Sequence, residues 1–310
     1  MVCPRKSQIC ATMMKVATLL EQISSRLRAV TDSPDLDAQV LLAHLTGKPR
    51  TWLAAHPETP LSGPELDSAR QALSALEAGT PLPYILGHWE FFGLDFEITP
   101  DVLIPRPETE LLVEQAILWL QASPKRRTVA DIGAGSGAIA VSIAMHAPDA
   151  RVLATDISRA ALEVAKHNAQ KFNLQDRIEF VECDLLPESK VEEPALSLSK
   201  DQRSDLRPLT FDLICANLPY IPTATLEHLP IYGREPTLAL DGGNDGLDPI
   251  RHLLKIAPEW LAPEGLILLE IEATLGAQAL SLAHDKFPSA RIALHSDLSG
   301  KDRLIEIALS

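Results

Sequence analysis

Positive charge is in short supply. The 310-residue chain sets 28 Lys and Arg against 42 Asp and Glu, a formal net charge of −14. That balance argues against a surface that clamps nucleic acid phosphates broadly, although it leaves room for a local basic patch. Cysteine is scarcer still. Cys3, Cys10, Cys183 and Cys215 have the spacing of neither a metal site nor a disulfide framework. They read as reduced thiols in a cytoplasmic protein, and no metal is expected. Apolar runs long enough to span a membrane are absent. The opening "MVCPRKSQICATMMK" has basic residues but no apolar segment behind them, so it reads as a poor signal peptide. Residues 1–13 are expected to be a disordered extension. What remains is ordinary for a globular protein, 46% hydrophobic and 23% charged, at a length that suggests about two domains.

Residues 14–88 read as short helices. "VATLLEQISSRL" puts Leu19, Leu20, Ile23 and Leu27 on one face. Ser33 and Pro34 pair an N-cap with a first-turn proline, and Gly47 marks the stop. Ser62 and Gly79 repeat that pattern. Short helices with short links predict a small bundle. "WEFFGLDFEITPDVLIP" then alternates Phe92, Leu94, Phe96 and Ile98 with other residues, which predicts a hairpin linker over residues 89–105. From residue 106 to 310 strands and helices alternate. The strands are "TVADIG", "RVLATDIS", "RIEFVECD", "FDLICANLP", "GLILLEIE", "RIALHSD" and "RLIEIALS". That order predicts an α/β fold, a doubly wound, mainly parallel sheet with helices on both faces. Residues 187–209 are charged and weakly periodic, and read as a surface insertion.

"VADIGAGSGAIAVSIA" is strand, glycine turn, helix. Gly133, Gly135 and Gly137, with Ala134 and Ser136 between them, permit a tight turn and a close approach by a ligand. The helix start behind them offers free N–H groups. The same residues fit a GxGxxA dinucleotide fingerprint. Asp156 ends the next strand, where a carboxylate can accept from both hydroxyls of a ribose or cap the helix that follows. Asp184 ends the third strand with Leu185 next to it, and Asp184 can accept from an exocyclic adenine amine or simply open a loop. The fourth strand ends in Asn217-Leu218-Pro219-Tyr220. The Asn217 side-chain oxygen and the Leu218 carbonyl can each accept one N–H of a planar amide or aryl amine. That would aim its nitrogen at a methyl group and favour the positive charge that develops on attack. Pro219 restricts Leu218 to an extended conformation, and Tyr220 can stack on the planar group. The structural alternative is a proline turn.

Five stretches together carry a resemblance: "PLPYILG", "LIPRPETELLVE", "DIGAGSGAIA", "ANLPYIP" and "REPTLALDGGNDGLD". From about Met14 onward the chain resembles the HemK/PrmC family of class I S-adenosylmethionine-dependent methyltransferases. These methylate the side-chain amide of the glutamine in the Gly-Gly-Gln loop of peptide chain release factors. The resemblance implies a Rossmann-like seven-stranded sheet joined to an N-terminal helical domain that docks the release factor. It places the methionine end of the cofactor at Gly133, Gly135 and Gly137, the ribose at Asp156 and the adenine at Asp184 and Leu185. The substrate amide falls to Asn217, Leu218, Pro219 and Tyr220. No direct nucleic acid partner is implied. For Arg106 and Glu108 a structural salt bridge is expected. One departure stands out, since the family's usual tetrapeptide is NPPY and Leu218 replaces its first proline. NLPY also resembles the motif of rRNA adenine dimethyltransferases, so nucleic acid adenine N6-methylation is the alternative. A nicotinamide-dependent oxidoreductase and a non-enzymatic adaptor also share the glycine loop. The first lacks a hydride-transfer partner, and the second leaves Asn217 unexplained.

Overall fold

A computed structural model describes residues 14–187 and 210–309. The expected extension at residues 1–13 and all but Pro187 of the expected insertion lie outside the described residues. Chain contacts divide the protein into two compact units, the first ending at Leu86 and the second starting at Gly87.

The first unit holds helices α1 (Val16–Leu27), α2 (Pro34–Thr46), α3 (Arg50–Ala55), α4 (Gly63–Glu77) and α5 (Leu82–Leu86). Its core is the apolar stripe read from the helical spacing: Val16, Leu19, Ile23, Leu27, Leu41, Leu42, Leu53, Leu73 and Leu76 are buried. Ser62 caps α4 in a reciprocal box with Glu65, whose carboxylate accepts from the Ser62 N–H at 2.6 Å. Ser33 differs from expectation. Its side chain makes no capping bond, because its ψ of 52° departs from the extended backbone that aims a capping oxygen at the first turn. Pro34 supplies the rigid start alone. Gly47 ends α2 in the left-handed region at φ 64°.

The second unit opens with a hairpin of β1 (His88–Phe91) and β2 (Leu94–Glu97). There follow α6 (Glu110–Gln121), β3 (Thr128–Ile132), α7 (Ala138–His146), β4 (Arg151–Asp156), α8 (Arg159–Lys171), β5 (Ile178–Glu182), β6 (Phe211–Ala216) and α9 (Thr223–Leu226). The chain ends with α10 (Asp248–Trp260), β7 (Leu261–Glu270), α11 (Gly276–Lys286), β8 (Arg291–Ser296) and β9 (Asp302–Ala308). Seven strands form one sheet in the order β5-β4-β3-β6-β7-β9-β8. The first five run parallel, and β9 is antiparallel to both β7 and β8. The order reverses between β3 and β6, which opens a crevice at their carboxyl ends.

Alternation assigns the two sheet faces. Ala130, Ile132, Ile214, Ala216, Ile267 and Leu269 share a core with Leu253, Leu254 and Ala257 of α10 and Ala279 and Ala283 of α11. The intervening residues, among them Asp131, Cys215 and Leu268, are equally buried and point to the opposite face. Asn217 continues the parity of Cys215, and Glu270 that of Leu268.

The hairpin is fastened to α8 by one fully buried amide. Asn168 Oδ1 accepts from Glu97 N at 2.7 Å, and its Nδ2 donates to Glu97 O at 3.0 Å and to Ser136 O at 2.9 Å. One side chain thus satisfies three backbone groups and ties the hairpin to the glycine loop.

Candidate methyl-transfer site

Gly133, Gly135 and Gly137 all adopt positive φ, at 74°, 53° and 79°. Gly133 N and Ala134 N both donate to Thr155 O at 2.9 Å, folding the loop onto β4. Gly135 N donates to Asp156 Oδ2 at 2.9 Å, while Asp156 Oδ1 accepts from Ser158 N at 2.8 Å. Asp156 therefore organises the loop and the start of α8 together, and Ser158 Oγ caps α8 through Ala161 N at 3.2 Å. Burial pushes the Asp156 carboxyl up, partly offset by these N–H groups.

The loop borders a cavity of about 230 Å³ lined by Gly133, Gly135, Asp156, Asp184, Leu185 and Asn217, among others. A Cβ added at Gly135 meets nothing within 4 Å, so it would stand in this open space. Ala134, Ser136 and Gly137 do not line the cavity. Gly137 instead abuts α8, where an added Cβ would lie 3.1 Å from that of Ala165. Leu185 takes the left-handed backbone at φ 61°, unusual for a branched side chain and a form of strain that collects at ligand sites. Thr155 Oγ1 holds it there by donating to Leu185 O at 2.5 Å. Asp184 is exposed on the rim.

A second cavity, about 120 Å³, is lined by Arg106, Asn217, Leu218, Pro219, Tyr220 and Ile231, among others. Asn217, Leu218 and Pro219 line both cavities and form the partition between them. Leu218 is buried, and a Cβ on Gly133 would come within 3.2 Å of its Cδ2. Its side chain thus packs against the glycine loop. Asn217 Nδ2 donates to Thr109 Oγ1 at 3.0 Å. The Tyr220 hydroxyl donates to Glu270 Oε1 at 3.4 Å. Burial raises the Tyr220 phenol well above its ordinary value, reinforced by the charge of Glu270.

The two stretches that said least on their own turn out to brace the tetrapeptide. Ile221 N donates to Leu240 O at 3.0 Å, Gly242 N to Ile221 O at 2.8 Å and Thr223 N to Gly243 O at 2.9 Å. A Cβ on Gly242 would lie 2.7 Å from Tyr220 Cα, and one on Gly246 2.4 Å from Tyr220 O. Only glycine allows this approach. "IPRPETE" meets the same segment from the other side. Arg106 pairs with the buried Glu235 at 2.6 Å, and Ile104 N donates to Glu235 Oε2 at 3.1 Å. Glu108 lies 3.8 Å from Arg303.

Four participants were given no role by the sequence. Thr109 sits in what reads as a plain helix start, and Glu270 in a plain apolar strand. Glu235 and the Gly242–Gly246 loop read as turn material. Asp131, one residue before the glycine turn, was legible in position but not in role. It is fully buried, and its Oδ2 accepts from Ala140 N at 3.0 Å. Its other oxygen has no partner among the described residues. Burial raises its pKa to about 7, with the Asp156 charge adding to the effect and the Ala140 N–H opposing it.

Comparison with known proteins covers most of the chain. The family model described as "PrmC N-terminal domain" matches residues 18–87, and that described as "Methyltransferase small domain" matches residues 108–198. The release factor glutamine methyltransferase of Moorella thermoacetica is 43% identical over 88% of this chain and 90% of that protein. That of Geobacter sulfurreducens is 41% identical over 76% of each. The chain belongs to the release factor glutamine methyltransferase family. It is accordingly a methyltransferase, and an enzyme. Among solved structures, the hMettl16 catalytic domain in complex with an RNA hairpin covers 83% of this chain and 86% of that one at TM-score 0.50 and 15% identity, a likeness of fold. In the family's terms, the glycine cradle, the acid beyond it on β4 and the apolar floor around Leu185 suit an adenosyl group. No described helix is long and apolar enough to cross a membrane.

Proposed function

We propose that the protein transfers a methyl group from S-adenosylmethionine to the side-chain amide nitrogen of the glutamine in the Gly-Gly-Gln loop of a peptide chain release factor. The observation that carries this reading is the shared partition, since Asn217, Leu218 and Pro219 border both the glycine-loop cavity and the smaller cavity beside Tyr220. When bound, S-adenosylmethionine supplies a methyl group on a cationic sulfur, which leaves neutral once the nitrogen–carbon bond has formed. In this reading Gly133 and Gly135 leave room for the cofactor, Asp156 accepts from its ribose, and Asp184 and Leu185 flank its adenine. Asn217 Oδ1 and the Leu218 carbonyl accept the two amide N–H groups, and Tyr220 lies against the amide plane. A primary amide is a weak nucleophile because its lone pair is delocalised. Two acceptors fixed before reaction stabilise the positive charge that develops on nitrogen and aim that nitrogen. One N–H proton then leaves to restore the neutral methylated amide, and the cationic leaving group removes the need for a strong base.

The partner is a protein, docked by the N-terminal helices, with no direct nucleic acid contact and a cytoplasmic setting. The test is to incubate the protein with S-adenosylmethionine and a release factor, then map the product by peptide mass spectrometry. One added methyl on the Gly-Gly-Gln glutamine, absent when that residue is alanine, is expected. An unmodified factor, alongside normal cofactor binding and methyl transfer to adenine in RNA or DNA, overturns the reading.

A further inference from the structure

Behind Asn217 runs a buried polar chain that methyl transfer as derived above does not use. Thr109 and Glu270 are 4% and 3% exposed. Thr109 closes the short turn Pro107–Thr109 that leads into α6, and Glu270 is the last residue of β7. In the β6–β7 register Ala216 stands opposite Leu269, so Asn217 and Glu270 leave the sheet side by side. Asn217 Nδ2 donates to Thr109 Oγ1 at 3.0 Å. The Tyr220 hydroxyl donates to Glu270 Oε1 at 3.4 Å, and the Thr109 hydroxyl favours the ionised form of the same buried carboxyl. Glu108 and Arg303 are the charged groups that bear on it, with opposite signs.

The direction of this chain follows from counting protons. A carboxylate only accepts. A hydroxyl has one proton and two lone pairs. While Glu270 is ionised and the Thr109 proton is turned toward it, Thr109 Oγ1 can only accept from Asn217. The NH₂ of Asn217 must then point inward, and its oxygen must face the cavities. The two ends of an amide are nearly equal in shape, so without such a relay nothing steric would choose between them. The same carboxyl anchors Tyr220 at the far edge of the smaller cavity.

We propose that Thr109 and Glu270 are positioning residues that hold the Asn217 amide with its oxygen toward the substrate and fix Tyr220 beside it. This rests on the reading of Asn217 as the acceptor for the substrate amide. The relay explains why a threonine is needed within "RPETE", where the local structure asks only for a helix start.

The experiment compares Thr109→Val, Thr109→Ser and Asn217→Ala in the full chain, with release factor as substrate. Valine matches threonine in shape but lacks the hydroxyl. With it kcat falls about 10- to 100-fold, because a misaimed acceptor acts on the transition state. Affinity for S-adenosylmethionine, read by calorimetry, stays at the wild-type level. Serine keeps the hydroxyl and returns most of the lost kcat. A residue that served packing alone would instead change melting and cofactor affinity, and serine would not rescue it. Wild-type kcat in Thr109→Val, or equal losses in the valine and serine variants, overturns the proposal. Asn217→Ala separates the two levels. If it keeps full kcat, the acceptor reading fails and takes the relay with it. If it loses kcat while Thr109→Val does not, the relay alone fails. Should Thr109→Val not fold, Glu270→Gln decides, since it replaces one acceptor oxygen by a donor. Loss of kcat with unchanged cofactor affinity supports the relay, and full kcat overturns it.

Discussion

Two glycine loops flank the tetrapeptide, and they use glycine for opposite reasons. At Gly135 an added Cβ would meet nothing within 4 Å, whereas at Gly246 it would lie 2.4 Å from the Tyr220 carbonyl oxygen. At Gly135 the first loop faces open space in the larger cavity. The second keeps space for the chain itself, so that Tyr220 and Pro222 can be pressed into place from behind. A glycine-rich stretch thus announces close approach without saying what approaches. Its neighbours in space decide whether loss of that glycine is felt as lost binding or as lost folding.

Substitutions can break this contrast. The largest effect is expected at Gly246→Ala. Backbone lies in the way, and φ of 81° adds strain, so stability should fall by about 4 kcal/mol and activity should go with it. Denaturant unfolding measures this, and a loss under about 1 kcal/mol would mean that the second loop yields freely. Next comes Asn168→Ala, which strands the Glu97 N–H and the Glu97 and Ser136 carbonyls in the interior. A cost of about 3 kcal/mol is expected from the same measurement, shared between hairpin and glycine loop. Gly135→Ala should behave differently from both. Left-handed strain costs about 1 kcal/mol. Cofactor affinity falls about 10-fold, equivalent to about 1.4 kcal/mol. Calorimetric titration showing unchanged affinity would remove the distinction between the loops.

The smallest effect concerns Asp131, the buried carboxyl at the root of the first loop. Its folded pKa of about 7 stands above its ordinary value of 3.8. Glu270 is likewise raised, to about 7 from 4.5, chiefly by burial, with the Thr109 and Tyr220 hydroxyls opposing the rise. Between those limits the folded state holds protons that the unfolded chain has released. The stability these groups contribute is complete below their unfolded values and is lost as pH rises through about 7. The melting temperature should therefore decline from pH 5 to pH 8, roughly, and Asp131→Asn should flatten part of that decline. An identical slope in the variant would assign the loss to Glu270.

The strands and helices of the second unit were legible because each strand is a short apolar run and most helices carry their own period, while α7, buried along Ala138–Ala144, is marked by the glycines before it. The seven runs from "TVADIG" to "RLIEIALS" all become strands of the one sheet. Ser33 shows the limit of local reading, since a capping residue type does not ensure a capping backbone angle. The site was legible where chemistry repeats at strand ends, at Asp156, Asp184 and Asn217. It was illegible where partners meet only after folding. Glu235 lies 129 positions from Arg106 and Thr109 lies 108 from Asn217. Nothing in "RPETE" or "LLEIE" distinguishes a relay from a helix start and a core strand.

The partition between the cavities has a thermodynamic consequence. Five residues, Leu103, Asn217, Leu218, Pro219 and Ala239, are wall to both compartments, and Leu218 is wedged against Gly133 on the side of the larger one. A shift of this wall on occupancy of one compartment would be felt in the other. Binding free energies on the two sides would then be linked, and by reciprocity cofactor would change the affinity for peptide by the same factor as peptide changes the affinity for cofactor.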